Sequence, residues 1–305
     1  MAGMKATLFG KFNLELQGLK IAGMEVRKVQ ELLSYLLLFR EHPHSRDFLC
    51  ETLWGEQPAG SSRKYLRQTL WRLQSAIQRN GNSTGLALRN DNDWIQIQLA
   101  ENFWLDIEEF EKVFNLVKGK RVLELSRGDF DLLEYAVEIY KGDLLEGWYS
   151  DWCFFERERF QTMHLLLLDK LVQFCGLHEN YEAGLSYGLD ILRHDHSYER
   201  AHRQLMRLYF LTGNRTQALR QYKRCETALR EELGVEPSAA TKQLYEQIRL
   251  DRFHVQPFTE EKMVSKTKVR PAPALAEVLE RVKEVTEALS RLEHRIQEEI
   301  SPTWD

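Results

Sequence analysis

The chain has no long apolar run. Its longest uninterrupted stretches are about five residues, as at Tyr35 to Phe39, far short of the ~20 that a membrane-spanning helix needs. The opening MAGMKATLFGKF contains no apolar signal core, so secretion is not expected. Cysteine is scarce. Cys50, Cys153, Cys175 and Cys225 lie far apart and form no Cys-x-x-Cys pair, which argues against a disulfide framework or a structural zinc site and for a reduced, cytoplasmic protein. No phosphate-binding Gly-x4-Gly-Lys-Ser/Thr loop and no Gly-x-Gly-x-x-Gly fingerprint is present, so nucleotide-driven chemistry has no motif to stand on. The pairs His42/His44 and His194/His196 sit in short turns without a cysteine or third ligand nearby, and read as turn histidines rather than metal ligands. No cofactor, no metal and no enzyme activity are expected.

What is present is length, charge asymmetry and order. The 305 residues suit two or three domains at ~100–200 residues each. Net charge is −4, but residues 1–100 hold 13 Lys/Arg against 9 Asp/Glu, while the remainder is acidic. A basic head on an acidic body is weak evidence for nucleic-acid binding. Residues 4–26 alternate and carry turns, predicting short strands. RKVQELLSYLLLFR (27–40) changes to helical spacing, and His42-Pro43 stops it. Ser45 is the predicted N-cap of a short helix, SRDFLCETLW, with Phe48, Leu49 and Leu53 pointing inward. GEQPAG (55–60) reads as a loop, 61–80 as a long helix, and 86–90 and 94–99 as a hairpin turning at Asn90–Asp93. Strands, three helices and a hairpin make a winged helix-turn-helix over residues 1–100.

From 101 to 254 the pattern is helical, with candidates at 104–117, 129–141, 151–178, 181–193, 198–212, 215–233 and 238–250. A shift of 34 residues pairs Leu171 with Leu205, Asn180 with Asn214, and Gly184 with Ala218, the period of tetratricopeptide repeats. Residues 255–273 are polar and carry three prolines, as linkers do. Within 274–300, Leu275, Val278, Val282, Val285, Leu289, Leu292 and Ile296 alternate spacings of three and four, a heptad seam. It reads equally as a self-associating coil or as an amphipathic helix folded back on the helical domain. The fold class expected is mainly α: a winged helix-turn-helix with small sheets, an all-α tetratricopeptide-like domain, and a C-terminal heptad helix.

The helix at 61–80 carries the functional signal. Leu66, Leu70, Leu73 and Ile77 form one apolar seam, and Arg63, Lys64, Arg67, Gln68, Trp71, Arg72 and Ser75 lie on or beside the opposite face, with no acid over 61–79. Such a rod suits the major groove: arginine pairs with guanine edges, glutamine with adenine, and the remaining cations with phosphates. The bland alternative is a solvated basic face. Trp71 on that face demands a partner, and docking against the helical domain is the favoured one. Ser45 and Arg46, at a helix N-terminus, could add a phosphate contact. Arg27 and Lys28 read as ordinary surface charge. Two aspartates at the hairpin tip would repel a phosphate backbone.

Four strings carry a resemblance: RKVQELLSYLLLFREHPHSRDFLCETLWGE with RKYLRQTLWRLQSAI, then YKGDLLEGWYSDWCFFERERF, then LTGNRTQALRQYKRCETALREELGVEPSAATKQLYEQI. Over about residues 5–250 the chain resembles bacterial transcriptional activators of the streptomycete antibiotic regulatory protein type, which join a response-regulator-type winged helix to a bacterial transcriptional activation domain. The resemblance implies sequence-specific binding of double-stranded DNA, often as paired subunits. It also implies recruitment of RNA polymerase, partly through the loop before the recognition helix, here Gly55, Glu56, Gln57 and Pro58. It implies a cytoplasmic, nucleoid-associated protein that acts as a homodimer or higher homo-oligomer. Two other readings stay open: a tetratricopeptide adaptor that binds proteins, and a regulator gated by a small signalling ligand held in the helical domain.

Overall fold

The computed structural model describes residues 4–79, 85–91 and 93–252. The linker and the heptad seam (Leu275 to Ile296) therefore lie outside the described residues.

Two small sheets frame the first third. Strands β1 (Met4–Thr7), β2 (Asn13–Leu16) and β3 (Leu19–Lys20) run antiparallel, and β7 (Trp104–Leu105) adds to β1 in parallel, giving the order β3-β2-β1-β7. Helices α1 (Arg27–Leu38), α2 (Arg46–Trp54) and α3 (Ala59–Arg79) follow. β4 (His44–Ser45), β5 (Leu86–Asn90) and β6 (Trp94–Leu99) form the second sheet, in the order β4-β6-β5. Helix α1 is buried nearly all round, from Val29 through Leu38, so its apolar stripe is only part of a wider contact. The third helix begins at Ala59 rather than Ser61, because the Pro58 carbonyl accepts from the Ser61 and Ser62 amides. The predicted 55–60 loop is thus shortened to Gly55–Pro58.

Among the described residues seven α-helices follow: α4 (Asp106–Val117), α5 (Arg127–Ile139), α6 (Asp151–Leu177), α7 (Tyr181–His194), α8 (Glu199–Leu211), α9 (Arg215–Leu233) and α10 (Ala239–Arg249). From α6 onward each packs on the next. The 34-residue period recurs in the hydrogen bonds: the Asn180 amide donates to the Cys175 carbonyl at 2.9 Å, and Asn214, 34 residues on, donates to Tyr209 at 2.8 Å. Small residues are required where the helices cross. A Cβ at Gly188 would stand 2.8 Å from the Leu205 side chain, and one at Gly184 3.2 Å from the Cβ of Cys175. The GVEPS string is a stop and a restart. Gly234 takes a left-handed φ of 67° and closes α9, with the Val235 amide reaching back to the Leu229 carbonyl. The Glu199 carboxylate then accepts from the Ser238 amide and hydroxyl at the head of α10.

The two parts share a core. One continuous set of buried side chains runs from Met4 through Leu36, Leu73 and Phe110 to Cys175. At its centre Asp106, 1% exposed, accepts from the amides of Leu8 (2.7 Å) and Phe9 (2.8 Å), about a hundred residues earlier, and of Ile107. Strand β7, its neighbour, was not foreseen: the expected helix at 104–117 starts two residues late because Trp104 and Leu105 pair with Lys5 and Ala6.

Two predictions follow from this packing. Burial raises the Asp106 carboxyl to about 6, against the opposing pull of its backbone hydrogen bonds. Between the ordinary carboxylate range and pH 6 the folded chain keeps a proton that the unfolded chain releases. This group's contribution to stability is therefore full below about pH 4 and is lost as pH rises through 6. Thermal melts from pH 4 to 7 should show that slope in the wild type and lack it in Asp106→Asn, which should also lose about 1–3 kcal/mol by misplacing a donor against a buried amide. Gly188→Val should cost about 1–3 kcal/mol by overpacking the α7–α8 crossing, read as a lowered denaturant midpoint.

Candidate nucleic-acid interface

Helix α3 is anchored by a seam that the spacing predicted. Ser62, Leu66, Thr69, Leu70, Leu73, Ala76 and Ile77 are buried, three and four apart. What remains faces outward. Arg63, Lys64, Arg67, Gln68, Trp71 and Arg72 are all exposed on α3, and Ser75 is half-buried at its margin. Lys64, Arg67 and Arg72 have no carboxylate partner among the described residues. Arg63 is committed: its guanidinium meets Asp47 of α2 at 3.0 Å. Both groups are largely exposed, so the pair is weak and readily exchanged.

Trp71 departs from expectation. It does not dock against the helical domain but stands 65% exposed between the cations. Its position follows from the register: one residue beyond the buried Leu70, it must point away from the seam. Phe48 also departs. It was expected inward with Leu49 and Leu53, but it is 49% exposed on α2, because Leu49, Cys50, Leu53 and Trp54 form one buried face and Phe48, about 100° away around the helix, falls outside it.

Ser45 and Arg46 are used inside the fold. The Ser45 hydroxyl accepts from the Phe48 amide at 3.2 Å, as the N-cap predicted. Arg46 donates to the Asn90 side chain at 2.7 Å, and its amide to the Asp93 carbonyl. These bonds tie the head of α2 to the hairpin. Lys28 is likewise structural, donating to the Leu53 carbonyl at 2.8 Å and pairing with Glu31. Burial, aided by Asp47, pushes the Cys50 thiol upward, so this cysteine on the buried face of α2 is no activated nucleophile. The loop Gly55–Pro58 is exposed between α2 and α3.

Sequence reasoning passed over Tyr65 (41% exposed) on α3 and Trp94 (53%) on the hairpin; neither breaks a hydrophobic period, so neither was signalled. It also passed over Gly184-Leu185-Ser186-Tyr187-Gly188, the spacing of a hydrolase nucleophile elbow. That motif requires a strand-to-helix turn. Here the five residues lie inside α7, with Ser186 exposed on the helix surface and both glycines serving close packing.

Comparison with known proteins finds relatives of the chain. Residues 105–249 match the bacterial transcriptional activator domain. The chain is 27% identical over 222 residues to Regulatory protein AfsR of Streptomyces coelicolor, a match that covers 71% of this chain and 21% of that longer protein. It is 24% identical over 254 residues to Transcriptional regulatory protein MoaR1 of Mycobacterium tuberculosis, covering 79% and 78%. Its fold is similar to that of EmbR from Mycobacterium tuberculosis, solved in complex with a low-affinity phosphopeptide. The TM-score is 0.71 at 18% identity, over 84% of this chain and 67% of that one.

Proposed function

We propose that this chain, a transcriptional regulator with the domain content of the streptomycete antibiotic regulatory protein type, binds double-stranded DNA through α3 and recruits RNA polymerase. The observation that carries the reading is the α3 face: acid-free from 59 to 79, cationic, and uncovered by any described residue. Seated in a major groove, Arg67 and Arg72 reach base edges or phosphates, Gln68 suits an adenine edge, and Lys64 and Arg63 neutralise backbone charge. Arg63 exchanges Asp47 for a phosphate. Trp71 brings an apolar surface, whose match in the groove is the thymine methyl. Ser45 and Arg46 position α2 against the hairpin and present its N-terminus toward the backbone. Gly55, Glu56, Gln57 and Pro58 remain outward for the polymerase.

The helical domain holds subunits in register, and the segment from Leu275 to Ile296 adds self-association. Two weak DNA heads joined in this way gain avidity ~100-fold or more. The site of action is the cytoplasm, on the nucleoid. The adaptor reading predicts the opposite of this charge dependence: little salt-sensitive affinity for DNA and indifference to loss of the α3 cations.

Fluorescence anisotropy with duplex DNA at two salt concentrations tests the reading. Affinity should fall steeply with salt. Arg67→Ala plus Arg72→Ala should weaken binding at least tenfold and reduce the salt slope by about 1–2; unchanged affinity in that variant would sink the DNA assignment. After selection of a binding site from random duplexes, deoxyuridine in place of thymidine at one position should weaken the wild type about 4-fold and leave Trp71→Ala indifferent.

A further inference from the structure

A second exposed surface has the opposite chemistry. Three aromatic side chains crowd the seven residues that open α6: Tyr149 is 91% exposed, Phe155 74% and Phe154 57%. Asp151, Phe154, Phe155 and Glu158 recur three and four apart, all exposed, and so share one outward face of the helix. Covered by a partner, each aromatic would bury ~150–250 Å². Together they exceed the scattered single exposures that need no explanation.

The frame beneath them is rigid. Arg157 donates to the carbonyls of Leu144, Leu145 and Trp148 at 2.9–3.1 Å. The Ser150 hydroxyl reaches Glu31 on α1 at 3.1 Å, and Trp152 packs edge-on against Tyr35. Exposure of the aromatics is thus not a frayed end but a fixed presentation. The same groove that Tyr149 and Asp151 line is closed on its other side by Gly55, Glu56 and Gln57.

Charge selects the partner. The cations nearest the patch are engaged internally: Arg157 on the carbonyls above, Arg159 on Glu156 and Glu111 at 2.6 and 2.8 Å, Lys28 on Glu31 and the Leu53 carbonyl, and Arg27 over the Trp148 ring at 5.2 Å. The carboxylates of Glu56, Asp151 and Glu158 have no cation partner among the described residues. The patch is therefore apolar at its centre and negative at its rim, which repels nucleic acid and attracts a basic surface.

We infer that Tyr149, Phe154 and Phe155, with the Gly55–Pro58 loop, bind a helical protein segment that carries arginine or lysine on both sides of an apolar stripe. The patch chemistry stands apart from DNA binding; its use in transcription rests on the polymerase reading of the loop, which it extends by placing half of the contact surface on α6. Arginine over Tyr149 adds a cation–π contact to the apolar burial.

The test uses the full chain and two probes. The first is an 18-residue amphipathic helix with leucines at helical spacing flanked by arginines, with a twin whose arginines are glutamates. Fluorescence titration should show saturable binding of the arginine peptide, at least tenfold weaker for Tyr149→Ala plus Phe155→Ala and unaltered for Leu250→Ala, with no binding of the glutamate twin. Because the substituted side chains are exposed, melting temperatures should not change. The absence of saturable binding, or equal binding by the double variant, overturns the inference. The second probe is purified RNA polymerase holoenzyme, irradiated with chain carrying benzoylphenylalanine in place of Phe155. A cross-link to a basic helical segment supports both readings. Peptide binding without a polymerase cross-link supports the patch and removes the polymerase as its partner. Anisotropy on duplex DNA with the same double variant should be unchanged, so that a failure of the DNA head is read separately.

Discussion

The architecture depends on one carboxylate. Asp106 opens α4, yet its oxygens are taken by the amides at the end of β1, about a hundred residues earlier. A buried carboxylate with too few donors is costly; here three backbone donors converge on it, and β7 seals the same junction in parallel with β1. The Phe9 ring then packs against Phe110, Tyr140 and Phe160 of the helical part. The winged helix and the first helices of the activator domain therefore share one interior, rather than meeting through a loose linker. An event at α6 and an event at α3 act on a single packed body, because the buried set joins Leu73 to Phe160 without interruption.

That shared interior explains which features were legible. Helices α4 to α10 were bounded within a few residues because all but α6, which is buried on several sides, are amphipathic, and because their stops are clear: Gly234 and Ser238 punctuate the last two. The seam of α3 was legible for the same reason. The repeat was legible because Gly184 and Ala218 occupy equivalent crossings. The parallel pairing of Trp104 and Leu105 was not, since two residues carry no period and their partner lies at the other end of the domain. Neither was the exposure of Phe48, since a large aromatic is assigned to the interior by default; the outward register of Trp71 was legible, but not that it would lack an internal partner. Arg46 looked like a phosphate ligand because it stands at a helix N-terminus, but the residue that occupies it, Asn90, is 44 positions away.

Pairing, rather than composition, decides where this chain is charged to the outside. Its 42 Lys/Arg and 46 Asp/Glu nearly cancel. Among the described residues, Lys64, Arg67 and Arg72 of α3 have no carboxylate partner, and beside the start of α6 Glu56, Asp151 and Glu158 have no cation partner. A field of several kT arises only where charges of one sign are left uncompensated, so the molecule carries a positive rod and a negative, aromatic-rimmed face despite a net charge near zero. The most exposed aromatics of each region are Trp71, which sits among cations, and Tyr149 and Phe155, which sit beside carboxylates. An exposed aromatic alone specifies no partner, but its surrounding charge does. The two surfaces are thereby made unable to compete for one ligand. Ligands of opposite charge are thereby sorted between two faces of one packed body, each by the sign that is left uncompensated there.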